Sequence, residues 1–384
     1  MIKINIFVID YFLDISYNVI RIGDEVMRKT RRGKLKRQKN LLIGGTFCML
    51  LLLCVGYAAF STTIRLNAKG NVHPPVIYTV DDLIDNAGTS CDGELTEDST
   101  EPGRYIYRGK NPCNYITFNG ETAGWRIVSI ESDGTMKIVR NTSIGDMPWD
   151  AKGTRSSSTS TYCTDASSHG CNAWASTSNL VGTPAEFTFY NPNGNSNTDT
   201  TTYSGTVTQD SSLNTFLNGE YYNNTSSNAS YLGSDKGYIV AHNFYVGTPG
   251  NDQDEETIAL DTQQEKNYVW NGNVGLIQAT DYLKASTDTS CTSLKAANNS
   301  PFPCGIGNYL EPSSGNSWTI SPSVSPNRNS VWFVLSEGHL TRSYASGSRG
   351  VRPAVYLKEC IKIKGEGTSS KAYEIVNDAT CMNS

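Results

Sequence analysis

The chain has 384 residues, of which 38 % are hydrophobic and 18 % charged, a balance that excludes a wholly disordered chain and leaves room for one or two folded domains. Its formal net charge is −5, but ten of the 32 basic and four of the 37 acidic residues lie in positions 1–39, leaving 22 basic and 33 acidic beyond, a net of −11. An acidic bulk of this kind excludes nucleic acid and anionic polymers as ligands, because both need a positive footprint, and it serves solubility.

Residues 1–26, MIKINIFVIDYFLDISYNVIRIGDEV, are apolar with four acids, unlike the short basic start of an export signal. Met27 is the more natural start, and a small amphipathic cytoplasmic helix is the other reading. Met27 to Asn40 carries eight Lys and Arg and no acid, and Leu41 to Phe60, LLIGGTFCMLLLLCVGYAAF, has twenty residues without a charge. At about 1.5 Å per residue that run spans roughly 30 Å, a bilayer core. The basic flank places residues 1–40 in the cytoplasm and everything after the span outside, N-in and C-out. A buried core helix rarely runs so long without a polar face. Gly56, Ala58 and Ala59 in VGYAAFSTT supply the small residues of a cleavage exit, but the apolar run is longer than a signal core, which favours a retained anchor over a cleaved leader. The stretch resembles the leaders of secreted matrix-fibre and camelysin-like proteins of Gram-positive-type bacteria. That resemblance implies cleavage near Ala-Ala-Phe and a structural role in a matrix.

Residues 61–102 pass a Pro-Pro break and read as a tether, with the folded domain over 103–384. Three strand-like runs follow, Tyr115 to Phe118, Trp125 to Ile130 and Met136 to Val139, divided by NGETAG and ESDG, both hairpin signals. From 142 to 208 Ser, Thr, Asn and Gly dominate, too poor in large apolar residues for a separate core. This stretch reads as loop insertions stapled by a Cys163–Cys171 bridge and pinned by Trp149 and Trp174. DSSLNTFLNGEYY predicts a helix capped by Asp210 or Ser211, with Leu213, Phe216 and Leu217 on one face, and TDYLKAS a shorter one after the strand VGLIQA. SWTISP, VWFVLSEGHL, GVRPAVYL and KAYEIV return to β structure, so the expected class is α+β.

Cys48 and Cys54 lie in the apolar run. The other eight cysteines form four neighbour intervals of 22, 8, 13 and 21 residues, predicting the bridges Cys91–Cys113, Cys163–Cys171, Cys291–Cys304 and Cys360–Cys381. Zinc is not expected, since no C-x-x-C pair occurs and no His pair stands at ligand spacing. Asp252, Asp254, Glu255 and Glu256 in GNDQDEET offer oxygen donors for calcium, but without the glycines and regular spacing of a calcium loop they read as a solvated acidic loop. No HExxH, GxSxG or Ser-x-x-Lys occurs beyond the span, His73, His169, His242 and His339 are scattered, and His169 stands near a bridged Cys171. No catalytic residues and no cofactor are therefore assigned.

GRYIYRGKNPCNYITFNGETAGWRIVSI, SLNTFLN, GLIQATDYL, CGIGNYL, SWTISP, VWFVLSEGHL and GVRPAVYLK, in this order over about residues 103–376, resemble a family of bacterial surface proteins whose domain is related to the C-type-lectin-like and formylglycine-generating-enzyme folds. The resemblance implies a closing strand marked by Gly350, Val351 and Arg352, with the arginine tying that strand to neighbouring backbone. The residues agree. Val351, Pro353, Val355 and Leu357 alternate with Arg352, Ala354 and Tyr356 as in a half-buried strand, Pro353 belongs at a strand start or edge, Gly350 allows close approach, and a five-donor guanidinium suits carbonyls. Arg349 is expected to be exposed. The related copper-dependent enzyme needs a free thiol pair, which bridged cysteines cannot supply.

The expected function is a cell-surface binding or adhesion module for a glycan or protein. A secreted matrix component is the second reading and an enzyme of the formylglycine-generating type the third. In the resembling folds the segment between SWTISP and GVRPA forms the variable face. Val331 to Leu335 predicts a strand, SEGHL a turn, and Arg342 to Arg349 the return along its edge. Trp318, Trp332, Arg342 and Tyr344 are the ligand-binding candidates, though the tryptophans stand in strand runs and also suit the core.

Overall fold

Period-two alternation and the Asn-Gly and Asp-Gly turns account for the first strands of the domain. The computed structural model describes residues 76–384 apart from 154, 156–162, 164, 165, 185, 193–199, 251–256, 314 and 324–328. Strands β1 (Asp92–Glu97), β2 (Tyr105–Asn111), β3 (Tyr115–Phe118), β4 (Glu121–Ile130) and β5 (Met136–Arg140) pair antiparallel in one sheet. The ten-residue β4 is its spine, with β5 along one edge and β3 and β2 end to end along the other, so the sheet curls about it.

A second sheet holds β6 (Asp146–Pro148), β7 (Asn316–Ser323), β8 (Ser330–Leu335), β9 (Leu340–Tyr344) and β10 (Ser348–Gly350) in the order β9-β8-β7-β10-β6, antiparallel except for β7 beside β10. The chain then returns to the first sheet as β11 (Ala354–Leu357), which pairs with β5 on one side and with Ile239–Val240 and Val274–Gly275 on the other. The main helices are α1 (Ser212–Phe216), capped by Ser211 and continued by a π turn over Leu217–Tyr221, then α2 (Ile258–Glu265) and α3 (Ala279–Ala285). Every residue of α3 is buried, because it is wedged among the sheets and α2. The class is α+β with few helices, and the four neighbour disulfides are formed.

Two expectations about organisation change. The compact unit runs over Pro74–Ser384, so residues 76–102 are domain and not tether. A helix over Val80–Asp85 buries Val80 and Leu83 behind a capping box of Thr79 and Asp82, and β1 lies against β2. Thr-Val-Asp-Asp is a helix start in itself. Second, all four residues of β11 are buried, with strands paired at both edges and His242 and Phe244 packed on Tyr356. Its alternation therefore does not separate core from solvent. Residues 1–75, with the apolar run 41–60, and the acidic loop 252–256 lie outside the described residues; no helix among those described is long and apolar enough to cross a membrane.

Arg352 acts as scaffold. Its side chain is buried, Nε donates to the Arg140 carbonyl at 2.9 Å and Nη1 to the Leu310 carbonyl at 2.6 Å, joining the end of β5 to the loop before β7. Burial, and then the neighbouring Arg126, pull its ionisation down to about 10, so it remains charged at neutral pH while bound only to carbonyls. Gly350 allows this closure, for a Cβ there would stand 2.3 Å from the Asn316 carbonyl oxygen. Arg352→Ala strands two buried carbonyls and is expected to cost about 3 kcal/mol, read as a lower denaturant midpoint with an unchanged slope. A change within about 0.5 kcal/mol would show that the guanidinium does not tie the strand.

Candidate binding site

The edge strand β9 carries the candidates Arg342 and Tyr344. Arg342 faces Trp332 across β8 and Tyr344 faces Ser330, so both point to one side of the sheet, two residues apart. Tyr344 is 39 % exposed and its ring lies 4.0 Å from that of His169, while Arg342 is half-buried. Trp318 and Trp332 are corrected: at 1 % and 0 % exposure they offer no face to a ligand. Trp318 packs edge-on to Phe333 and donates to the Met147 carbonyl at 2.9 Å, which places it between β7 and β6 as core. Arg349 is also not free in solvent, since its guanidinium carbon sits 4.7 Å above the Phe333 ring and Nη2 donates to Ser343 Oγ at 3.3 Å.

His169 reaches Tyr344 because the insertion is anchored from below. Asp150, fully buried, accepts from the Cys171 N–H at 2.7 Å and the Ser212 N–H at 3.1 Å, and pairs with Arg155 at 3.1 Å; its own N–H donates to the Ala345 carbonyl at 3.0 Å. Arg155 passes on to the Cys171 carbonyl at 2.6 Å. Gly170 fits at a φ of +73° where a Cβ would meet the Asp150 carbonyl oxygen at 2.3 Å. Trp149 and Trp174, packed edge to face at 5.2 Å and fully buried, pin the insertion, as their place in it predicts.

At the surface the insertion and α1 border a shallow, open groove of about 680 Å³. Ser176, Ser178, Asn179, Thr208, Gln209 and Asp210 line it, with Ser212 and Thr215 from α1. Asp210 fixes one wall, accepting the Ser176 N–H at 2.7 Å and the Asn179 amide at 2.9 Å. The Thr208 and Gln209 side chains are exposed. The groove therefore presents hydroxyls, amides and one carboxylate on a fixed frame, and no cation lines it among the described residues. Single-residue reasoning passes over these positions because each is an ordinary loop residue; their abundance over 142–208 is the one signal they leave.

A second constellation, also missed in the sequence, lies under α3. Arg104 donates to Asp98 at 2.9 Å, Glu101 at 3.2 Å, Glu131 at 3.2 Å and Asp281 at 2.8 Å. Lys137 reaches Asp281 at 2.6 Å, Lys284 reaches Asp98 at 2.9 Å and Glu101 at 3.0 Å, and Lys266 reaches Glu101 at 2.6 Å. Burial raises the Asp281 carboxyl, but Lys137 and Arg104 outweigh it and hold it well below the usual carboxylate range. Next to this network Glu265 is 1 % exposed and has hydroxyl donors instead of cations: Ser321 at 2.5 Å, and Thr280. Burial pushes its carboxyl up to about 7 despite those hydroxyls. A signal exists in Lys137, a cation in the apolar strand MKIV, and in Asp281 and Lys284 three apart in TDYLKAS. Among the described residues no group of His, Cys, Asp and Glu is arranged to hold a metal ion.

Comparison with protein-family models, curated proteins and solved structures finds no match to this chain.

Glu265 gives the domain a distinct pH response. With its carboxyl raised from 4.5 to about 7 in the fold, the folded chain keeps a proton that the unfolded chain has released, so stability is lost as pH rises through that window. The loss amounts to about 3 kcal/mol. Asp98, Glu101 and Asp281 act oppositely: burial opposes their ionisation, their cations prevail, and stability is lost as pH falls through the acid range. Melting temperature is expected to fall from pH 5 to pH 8 in the parent, and Glu265→Gln, which keeps the hydroxyl contacts, is expected to remove that slope. Equal slopes would show that Glu265 does not titrate there.

Proposed function

We propose that the domain is a non-enzymatic binding module displayed outside the cell, held by the 41–60 anchor, and that its groove takes a neutral, hydroxyl-rich ligand of the carbohydrate class. The groove lining carries this reading. Its hydroxyls and amides exchange hydrogen bonds with sugar hydroxyls, its single carboxylate, Asp210, accepts from a vicinal pair, and the absence of a lining cation disfavours phosphate and carboxylate ligands. Four disulfides support an oxidising compartment beyond the membrane. The ordered motifs that resemble C-type-lectin-like surface domains fit a rigid frame bearing a tolerant loop insertion.

Glycan-array screening followed by calorimetry of the purified protein tests this. Thr208→Ala with Gln209→Ala, which leaves the Asp210 wall in place, is expected to weaken binding at least about tenfold, roughly 1.4 kcal/mol, with the melting temperature changed little. An Arg342→Ala, Tyr344→Ala pair is expected to retain affinity. The reverse pattern moves the site to β9, and no glycan binding at all refutes the ligand class.

A further inference from the structure

Lys137 lies on β5, fully enclosed, with its Nζ 5.7 Å from the Phe244 ring and 5.5 Å from the Tyr356 ring. That Nζ donates to the side-chain oxygen of Gln278 and, at 2.6 Å, to Asp281 Oδ2. The same Asp281 oxygen accepts the Gln278 backbone N–H at 2.9 Å. One carboxylate oxygen therefore touches the amine and is clamped to the residue bearing the carboxamide. Gln278, Asp281 and Lys137 are all buried, so the three groups meet away from bulk water.

An amine held against a carboxamide beside a proton acceptor is a reactive arrangement. Fixed contact gives effective molarities of about 10⁵ M or more where the alignment is good, which offsets the low intrinsic reactivity of an amide. The step is also one-way, because its small product escapes. We infer that Lys137 and Gln278 become joined by an isopeptide bond that the folded domain forms by itself, with Asp281 moving the proton.

The Lys137 ammonium passes a proton uphill to the Asp281 carboxylate, which its cations hold ionised, so the neutral pair is rare and the joining slow, and the neutral Nζ attacks Gln278 Cδ. A new C–N bond forms as the carbonyl opens to a tetrahedral centre. Asp281 relays the proton to the departing Nε2, the Cδ–Nε2 bond breaks, and nitrogen leaves as ammonia, which carries the second surplus proton away as ammonium. Nothing is oxidised or reduced. Asp281 returns to its carboxylate form, still paired with Arg104 at 2.8 Å, so loss of the lysine charge leaves no unpaired carboxylate. The phenyl and phenol rings around Nζ then enclose a neutral amide in place of a cation. The bond links β5 to the start of α3 across 141 residues, and unlike the four disulfides it withstands reductant.

Peptide mass spectrometry of the full-length protein, reduced, alkylated and digested with trypsin, tests this directly. The expected dominant species is a branched peptide joining residues 137 and 278, lighter than its two linear parts by one ammonia, with no cleavage after Lys137. In Gln278→Met the branch is expected to vanish and cleavage after Lys137 to return, a readout that does not depend on the variant's stability. Linear peptides with intact Lys137 and Gln278 as the dominant species would overturn the inference and leave an ordinary hydrogen bond. So would an ammonia loss that maps within a single linear peptide.

Discussion

Four cations, Arg104, Lys137, Lys266 and Lys284, meet four carboxylates, Asp98, Glu101, Glu131 and Asp281, at the joint between the first sheet and α3. Charges taken out of water cost several kcal/mol each unless paired, and removing one partner from a buried pair costs roughly 3–5 kcal/mol. The joint therefore tolerates one register. If α3 turned by one residue, Asp281 would take the place of Tyr282 in the apolar core, and Arg104 would lose one of its four carboxylates and Lys137 its one. Apolar packing alone would permit several seatings of a helix as short as Ala279–Ala285. The network supplies specificity more than net stability, and the second sheet inherits its position from it, since Ala279 N–H donates to Ser321 on β7 at 2.9 Å.

The insertion repeats this logic on a smaller scale. Its sequence cannot supply a core, so Trp149 and Trp174 borrow one from the sheet, Trp149 by donating to the Thr319 carbonyl at 3.1 Å. Asp150 then converts that apolar anchor into a polar frame. Its two oxygens fix backbone at Cys171 and at Ser212, so the wall bearing the groove and the loop bearing His169 are set by one side chain. A loop-rich lining built this way loses little freedom on binding, which matters because polar ligands return little apolar burial against the cost of ordering loops.

Strands and turns were legible where local chemistry decides them. Tyr115–Phe118 is bounded as the alternation indicates, the turn SEGHL reverses β8 into β9, and Ser211 caps α1. The cysteine pairing was legible because each bridge closes a short local segment. What escaped depends on partners far away in the chain. Trp318 and Trp332 look the same in sequence whether a strand face is covered or open, and the sheet order, known only in three dimensions, covers both. Lys137 reads as a solvent-facing residue of a half-buried strand, yet its partner Asp281 lies 144 residues on. The groove was least legible of all, since it belongs to no motif and arises from where Asp150 and Asp210 hold loop backbone.

Charge and groove lining together constrain how the proposed binding module would work. Beyond residue 39 the chain carries a net of −11, and the groove adds Asp210 with no cation among its described lining residues. Long-range attraction therefore contributes nothing to capture, and salt has little to screen. On the proposed reading, affinity rests on short-range hydrogen bonds, each worth about 1 kcal/mol net because sugar hydroxyls are equally well solvated before they bind. A handful of such bonds minus the cost of association yields weak single-site binding. On the proposed reading, anchoring many copies on one surface compensates. Once one groove is occupied, neighbouring grooves meet a repeating ligand at high effective concentration, and avidity can exceed the single-site affinity by about 10² or more without a new contact. A weak, rigid, salt-insensitive groove is then well matched to a surface-bound polymer and poorly matched to a scarce soluble ligand.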